Sequence, residues 1–245
     1  MYAIIGGTGL NKLTHLEVVR REVMRTPYGE PSGAFTFGKL AGHDIVFLAR
    51  HGVGHTIPPH RINYRANMWA LRDAKVDGVL AVASVGSIRA DLRPGDLLAP
   101  DQIIDYTHGR GHTYFDGTGA PVTHIDFTWP YTPVVREHLL AAAATAGEKV
   151  YDGGVYGATQ GPRLETAAEI GRMQRDGCDL VGMTGMPEAA LARELGLPYA
   201  CLAVVVNHAA GLGDSKQMIS VEHLDDMARK AMERVYRILE AFAAQ

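Results

Sequence analysis

An α/β fold, one domain over residues 1–245 built on a mixed sheet with helices on both faces, is what the sequence predicts, and three observations predict it. Five apolar runs, AIIGGTG, VFLARHG, VLAVASVGS, LVGMTG and CLAVVVNH, each end in a glycine turn or a polar cluster. Runs rich in Val, Ile, Leu and Ala are the pattern of strands buried on both faces. Segments of helical spacing alternate with them, and no repeat, low-complexity tract or Pro/Ser-rich linker divides the chain. The polar ends of the five runs are expected at one edge of the sheet, where open α/β folds place ligand sites.

Taken in order, Ala34 to Leu40, the Gly42 turn and Asp44 to Ala49 predict a hairpin, which makes the sheet mixed. A helix is expected around Asn63 to Lys75 with Met68, Leu71 and Ala74 inward. Val79 to Val85 reads as a strand and Asp96 to Tyr106 as another extended run. Thr107 to Tyr131 is a loop long enough to suggest a role in a site or an interface. Helix Val134 to Ala146, strand Val155 to Thr159, helix Glu165 to Asp176 and strand Leu180 to Met183 follow. Pro187 suits the first helical position of a segment that stops at Gly196. The last helix follows Ser220 and carries the stripe Leu224, Met227, Ala231, Val235, Ile238 and Phe242.

With 24 Lys and Arg against 27 Asp and Glu, spread without a basic block, nucleic acid is not an expected partner. No basic leader precedes Ala3 and no 18-residue apolar run occurs, so neither export nor a membrane span is expected and the cytoplasm is the expected location. Cys178 and Cys201 have no metal spacing and read as buried thiols. No H-E-x-x-H motif or clustered His/Cys spacing is present.

Several of the strand ends could hold an anion. Gly6-Gly7-Thr8-Gly9 offers N–H groups and a hydroxyl after a strand, without the dinucleotide fingerprint. Arg50 and His51 close a second strand with a guanidinium suited to bidentate phosphate binding. Ser84 and Thr184 end two more. No P-loop lysine motif is present, so free phosphate is favoured over a nucleotide tail.

IIGGTGL at the start, LARHG at 48, NYRANMWAL at 63, GATQGPRLET at 157 and GMTGMPEAALARELG at 182, with the strand ending in Asn207, together resemble the trimeric purine nucleoside phosphorylase and methylthioadenosine phosphorylase family. The resemblance covers nearly the whole chain. It implies a nucleoside phosphorylase-like fold and a pentosyltransferase with orthophosphate as co-substrate, held by Thr8, Arg50, His51, Ser84 and Thr184. Met183 then lies against the ribose. No metal or covalent nucleophile is needed for such chemistry.

Asn207 stands where methylthioadenosine phosphorylases carry an Asp, and their next Asp is Ala209 here, with His208 between them at the substrate. An amide donates to a 6-oxo group and accepts from N7–H, as a carboxylate cannot. Glu165 matches the acid of 6-oxopurine enzymes and suits N1–H, whereas adenine has a bare acceptor there. Asn207 and Glu165 are therefore the expected catalytic and base-reading pair. Leu164 replaces the aromatic residue that often covers the base, and Ala83 lacks a hydroxyl that some members place near phosphate.

Ile219, Val221 and Leu224, with His223 among them, fall where enzymes of ordinary nucleosides carry a His for the 5′-hydroxyl. Apolar groups there suit a 5′-methylthio group and leave a hydroxyl unpaired. His124 matches a residue that reaches a neighbouring subunit's sugar pocket, which implies a homotrimer with shared sites. The expected reaction is phosphorolysis of S-methyl-5′-thioinosine. Methylthioadenosine or inosine and guanosine remain alternatives, and a non-catalytic purine- or phosphate-binding protein a remote one.

Overall fold

The computed structural model describes residues 1–117, 121–216 and 221–244, with side chains in the last stretch from residue 227 onward. In chain order the elements are β1 (Tyr2–Gly6), β2 (Glu17–Glu22), β3 (Phe35–Leu40), β4 (His43–Ala49), α1 (Tyr64–Asp73), β5 (Val79–Ser87), β6 (Leu97–Ala99), β7 (Gln102–Asp105), α2 (Pro133–Thr145), β8 (Val150–Asp152), β9 (Val155–Ala158), α3 (Ala167–Arg175), β10 (Leu180–Gly182), α4 (Gly185–Glu194), β11 (Tyr199–His208) and α5 (Val221–Ala243). The strands form one 11-stranded mixed sheet, whose main path runs β2-β3-β4-β1-β5-β10-β9-β7.

Alternate residues of the central strands feed two cores, because side chains point to opposite faces with period two. Ala3, Ile5, Val79, Ala81, Cys201 and Ala203 join α1 and α4 through Met68, Leu71, Ala189 and Leu191. Ile4, Leu80, Val82, Ala200, Leu202 and Val204 join α2 and α5 through Leu139, Val235, Ile238 and Phe242. Each fully buried Val, Leu, Ile, Met or Phe among them contributes about 1.5–3 kcal/mol relative to exposure. The helices thus cover both faces as expected, and both cysteines are buried free thiols. Among the described residues no helix is long and apolar enough to cross a membrane.

The hairpin and α1 form as read: Leu40 pairs with His43 around the turn, and Asn63 caps α1 by accepting from the Ala66 N–H at 3.1 Å. Three expectations need correction. Asp96 to Tyr106 is two strands, broken at Pro100 and Asp101; β6 pairs with β11 and β8, whereas β7 pairs with β9. The α3 helix begins after Thr166, whose hydroxyl accepts from Glu169 N–H while the Glu169 carboxylate accepts from Thr166 N–H, so Glu165 stands outside the helix. The polar ends do not share one edge either: β10 runs antiparallel to β5, and Ser84 lies inside β5.

That last difference creates the site. β11 pairs with β5 along its length from Val79 to Ser87. On the opposite side β1 pairs only as far as Ala81, and β10 only at Gly86 and Ser87. Between them, Val82 to Val85 face a gap in the sheet.

Candidate active site

A cavity of about 260 Å³ opens at this gap, with Ala83, Ser84, Val85 and Gly86 of β5 along its floor. Thr8 after β1, Arg50 and His51 after β4, and Met183 and Thr184 after β10 reach it from separate strands. Leu164 and Glu165 enter from the β9–α3 connection, and Asn207 and Ala209 from the end of β11. Ten of the predicted site residues therefore line one cavity.

At the Val82 end the groups suit an anion. Gly7 lets the β1 turn pack closely, since a Cβ there would lie 2.7 Å from the Val82 carbonyl and 3.0 Å from the Arg50 guanidinium. Arg50 is buried, donates Nη1–H to the Val82 carbonyl at 2.9 Å, and gives its Nε and Nη2 edge to the Glu188 carboxylate at 2.8 and 2.9 Å. Burial opposes the charge on Arg50, but Glu188 holds its pKa above the ordinary value. The expectation of a free bidentate fork needs correction: one edge already serves Glu188, leaving the remaining N–H groups for a ligand. Tyr199 donates a further hydrogen bond to Glu188 at 2.8 Å.

His51 Nδ1–H donates to the Ile57 carbonyl at 2.8 Å, so its Nε2 is an acceptor. Burial, followed by the adjacent Arg50 charge, lowers its pKa to about 4, and the ring is neutral at ordinary pH. His55 stacks on it with ring centres 4.6 Å apart. The Ser84 hydroxyl donates to the Thr8 carbonyl at 3.1 Å and presents its lone pairs elsewhere. Thr184 is buried beside the Tyr156 hydroxyl, which lies 3.5 Å from its N–H.

At the Gly86 end the groups suit a purine edge. Asn207 pairs with Gly86 beyond an irregularity in the β5–β11 register, and its Nδ2 donates to the carbonyl of His208 at 2.5 Å. The other amide proton and Oδ1 keep capacity for a ligand. The Glu165 Oε1 accepts from the Thr159 hydroxyl at 2.6 Å, which fixes one oxygen and leaves the other as an acceptor. Gly161 has a positive φ of 58° and admits Met183: a Cβ there would come within 2.4 Å of the thioether sulfur.

Other predicted residues lie elsewhere. His208 does not line the cavity; its Nδ1 faces the Asp214 N–H at 3.4 Å. His124 is exposed and outside this cavity. Ile219 lies outside the described residues, as do the side chains of Val221, His223 and Leu224. Sequence reasoning missed Glu188, Thr159, His55 and Arg110. Glu188 had a signal: an acid three and four residues before buried Leu191 and Ala192 falls on the apolar face of its helix. Among the described residues no group of His, Cys, Asp and Glu could hold a metal ion.

The family profile described as Phosphorylase superfamily matches residues 1–244. The chain belongs to the phosphorylase superfamily. It is accordingly a phosphate-dependent pentosyltransferase, and orthophosphate is the co-substrate of such enzymes. The chain is 55% identical over 225 residues to a probable S-methyl-5′-thioinosine phosphorylase of Xanthomonas campestris pv. campestris, covering 92% of this chain and 90% of the relative. It is 53% identical to the protein of that name in Pseudomonas syringae pv. tomato, over 96% of this chain and 95% of the relative. It is also 45% identical to the 6-oxopurine nucleoside phosphorylase of Pyrococcus furiosus, over 98% and 91% of the two chains. Among solved structures, methylthioadenosine phosphorylase from Schistosoma mansoni in complex with adenine superposes with a TM-score of 0.94 at 32% identity, covering 99% of this chain and 90% of that one. The fold is that of a nucleoside phosphorylase.

Proposed function

We propose that the protein catalyses reversible phosphorolysis of S-methyl-5′-thioinosine to hypoxanthine and 5-methylthioribose 1-phosphate. The observation that carries this reading is the pairing, in one cavity, of anion groups at the Val82 end with Glu165 and Asn207 at the Gly86 end. In the reaction the C1′–N9 bond breaks, a phosphate oxygen bonds to C1′, and the negative charge developing on the purine is met by a proton that water delivers to N7. Catalysis then consists of positioning phosphate beneath an oxocarbenium-like sugar and stabilising the leaving base.

Thr8, Arg50, Ser84 and Thr184 hold phosphate. Because its ring is neutral with Nε2 as acceptor, His51 takes a hydrogen bond from a protonated phosphate oxygen or a sugar hydroxyl rather than meeting charge with charge. Met183 lies against the ribose. Asn207 donates to the C6 oxygen and accepts from N7–H as charge builds, while the free Glu165 oxygen accepts from N1–H. Leu164, at the rim, covers the base by apolar contact without stacking. Ala209 removes a carboxylate that would repel the 6-oxo group. The relatives at 52–55% identity support the methylthioinosine reading.

The same reading makes the protein a cytoplasmic, single-domain enzyme over residues 1–245 that needs no cofactor beyond phosphate and binds neither nucleic acid nor membrane. It assembles as a homotrimer in which His124 reaches the neighbour's sugar pocket. Exposed Val122 and Trp129 on the same loop support an interface there. Incubation with S-methyl-5′-thioinosine, methylthioadenosine and inosine, with and without phosphate, tests the reading. Phosphate-dependent hypoxanthine release, fastest from the methylthio nucleoside, is expected. Faster adenine release would overturn the base assignment, and no release from any substrate would leave a binding protein.

A further inference from the structure

Arg110 stands in the long loop between β7 and α2 and is buried at 9% exposure, yet among the described residues no carboxylate pairs with it. Its guanidinium instead holds two connections that line the cavity. Nη2 donates to the carbonyls of Thr159 at 3.1 Å and Gln160 at 2.8 Å, and Nε to the Gln160 side-chain oxygen at 3.2 Å. Nη1 donates to the carbonyls of Met183 at 2.9 Å and Met186 at 2.5 Å, with the Tyr64 hydroxyl at 3.3 Å. These acceptors occupy all five N–H groups of an arginine, so none is left for substrate. The carbonyl dipoles around the fork offset the desolvation of its charge.

We propose that Arg110 is a positioning residue that sets the separation between the base-reading and the anion-binding halves of the site. One path runs from the guanidinium to the backbone of Thr159, whose hydroxyl holds Glu165 at 2.6 Å. The other runs to the Met183 carbonyl. A peptide unit is planar, so fixing that carbonyl also fixes the direction of the following N–H, that of Thr184. One rigid fork thus spans the loops that carry Glu165 and Thr184. A lysine, with three donors on one nitrogen, keeps the charge but cannot span both. Phosphorolysis needs phosphate, C1′ and base in register at once, whereas each ligand alone needs only its own half.

This inference rests on the phosphorylase reading above, and the test separates the two. Arg110→Lys and Arg110→Gln are compared with the parent protein for kcat, for KM toward S-methyl-5′-thioinosine and phosphate, for calorimetric binding of hypoxanthine and phosphate singly, and for unfolding temperature. The expected result for Arg110→Lys is a fall of roughly 10²-fold in kcat, the scale of a 1 Å misplacement. Each single ligand should bind within about threefold of the parent, on the same argument from separate halves. Arg110→Gln should lose more activity, and Arg110→Lys should restore folding if Gln impairs it. Parent-like kcat in Arg110→Lys would overturn the inference, as would loss of single-ligand binding in proportion to activity. A parent protein that releases no base would overturn the function and this inference with it.

Discussion

The two ends of the cavity are held by different kinds of contact. At the anion end, Arg50 is locked by Glu188 from 138 positions away, between the two cores of the sheet. At the base end, Asn207 bonds its own neighbour and Glu165 bonds a threonine six residues away. The difference teaches that, on the proposed function, phosphate binding is built into the folding core, whereas the side chains that read the base are themselves held by short local links. On that function, one substitution is expected to change the base preference without dismantling the sheet, whereas the anion end is expected not to allow it.

The largest effect is expected from Glu188→Ala, which strands the Arg50 charge in the core. Removing one partner of a buried pair costs about 3–5 kcal/mol, so urea unfolding should show a loss of that size together with lost phosphorolysis. An unchanged midpoint would break the comparison at its stronger end.

The pH dependence of His51 comes next. Its folded pKa, about 4, lies below the ordinary 6.5, so the unfolded chain binds more protons between those values. Stability is fully present above the unfolded pKa and falls as pH drops from 6.5 toward 4, by on the order of 3 kcal/mol for this group. Unfolding measured from pH 7 to pH 4 in the parent and in His51→Gln should show a shallower slope in the variant; equal slopes would remove His51 as the cause.

At the base end, Asn207→Asp would, on the proposed function, place a carboxylate against the C6 oxygen. Hypoxanthine release should fall roughly 10²-fold while the unfolding midpoint stays close to the parent's. Full hypoxanthine activity would show that Asn207 does not read the base. Thr166→Ala removes the cap of α3 just beyond Glu165 and should cost about 1 kcal/mol, a melting shift of about 2–4 °C. A larger loss would mean that the base end is tied to the core after all.

What was legible in the sequence follows from what is local. The two-faced strands at 3–5, 79–83 and 200–206 announce themselves because a strand buried on both sides is apolar at every position. The exposed edge strand β2 and the short β8 were not foreseen, having no buried run to mark them. The Thr166 and Glu169 capping pair was present in the letters, and reading it would have put Glu165 outside the helix.

By itself, then, the sequence determined the alternation of strands and helices, the family likeness and most of the residues that meet at the cavity. Only the tertiary structure decided that the site lies in a gap along β5 rather than at a common edge, that Glu188 takes one side of Arg50, and that Arg110 ties two loops together. Periodicity and turn chemistry are properties of neighbours in the chain. Which buried donor finds which acceptor across more than a hundred residues is set by packing, because in the core every charge and amide must be paired where water is absent.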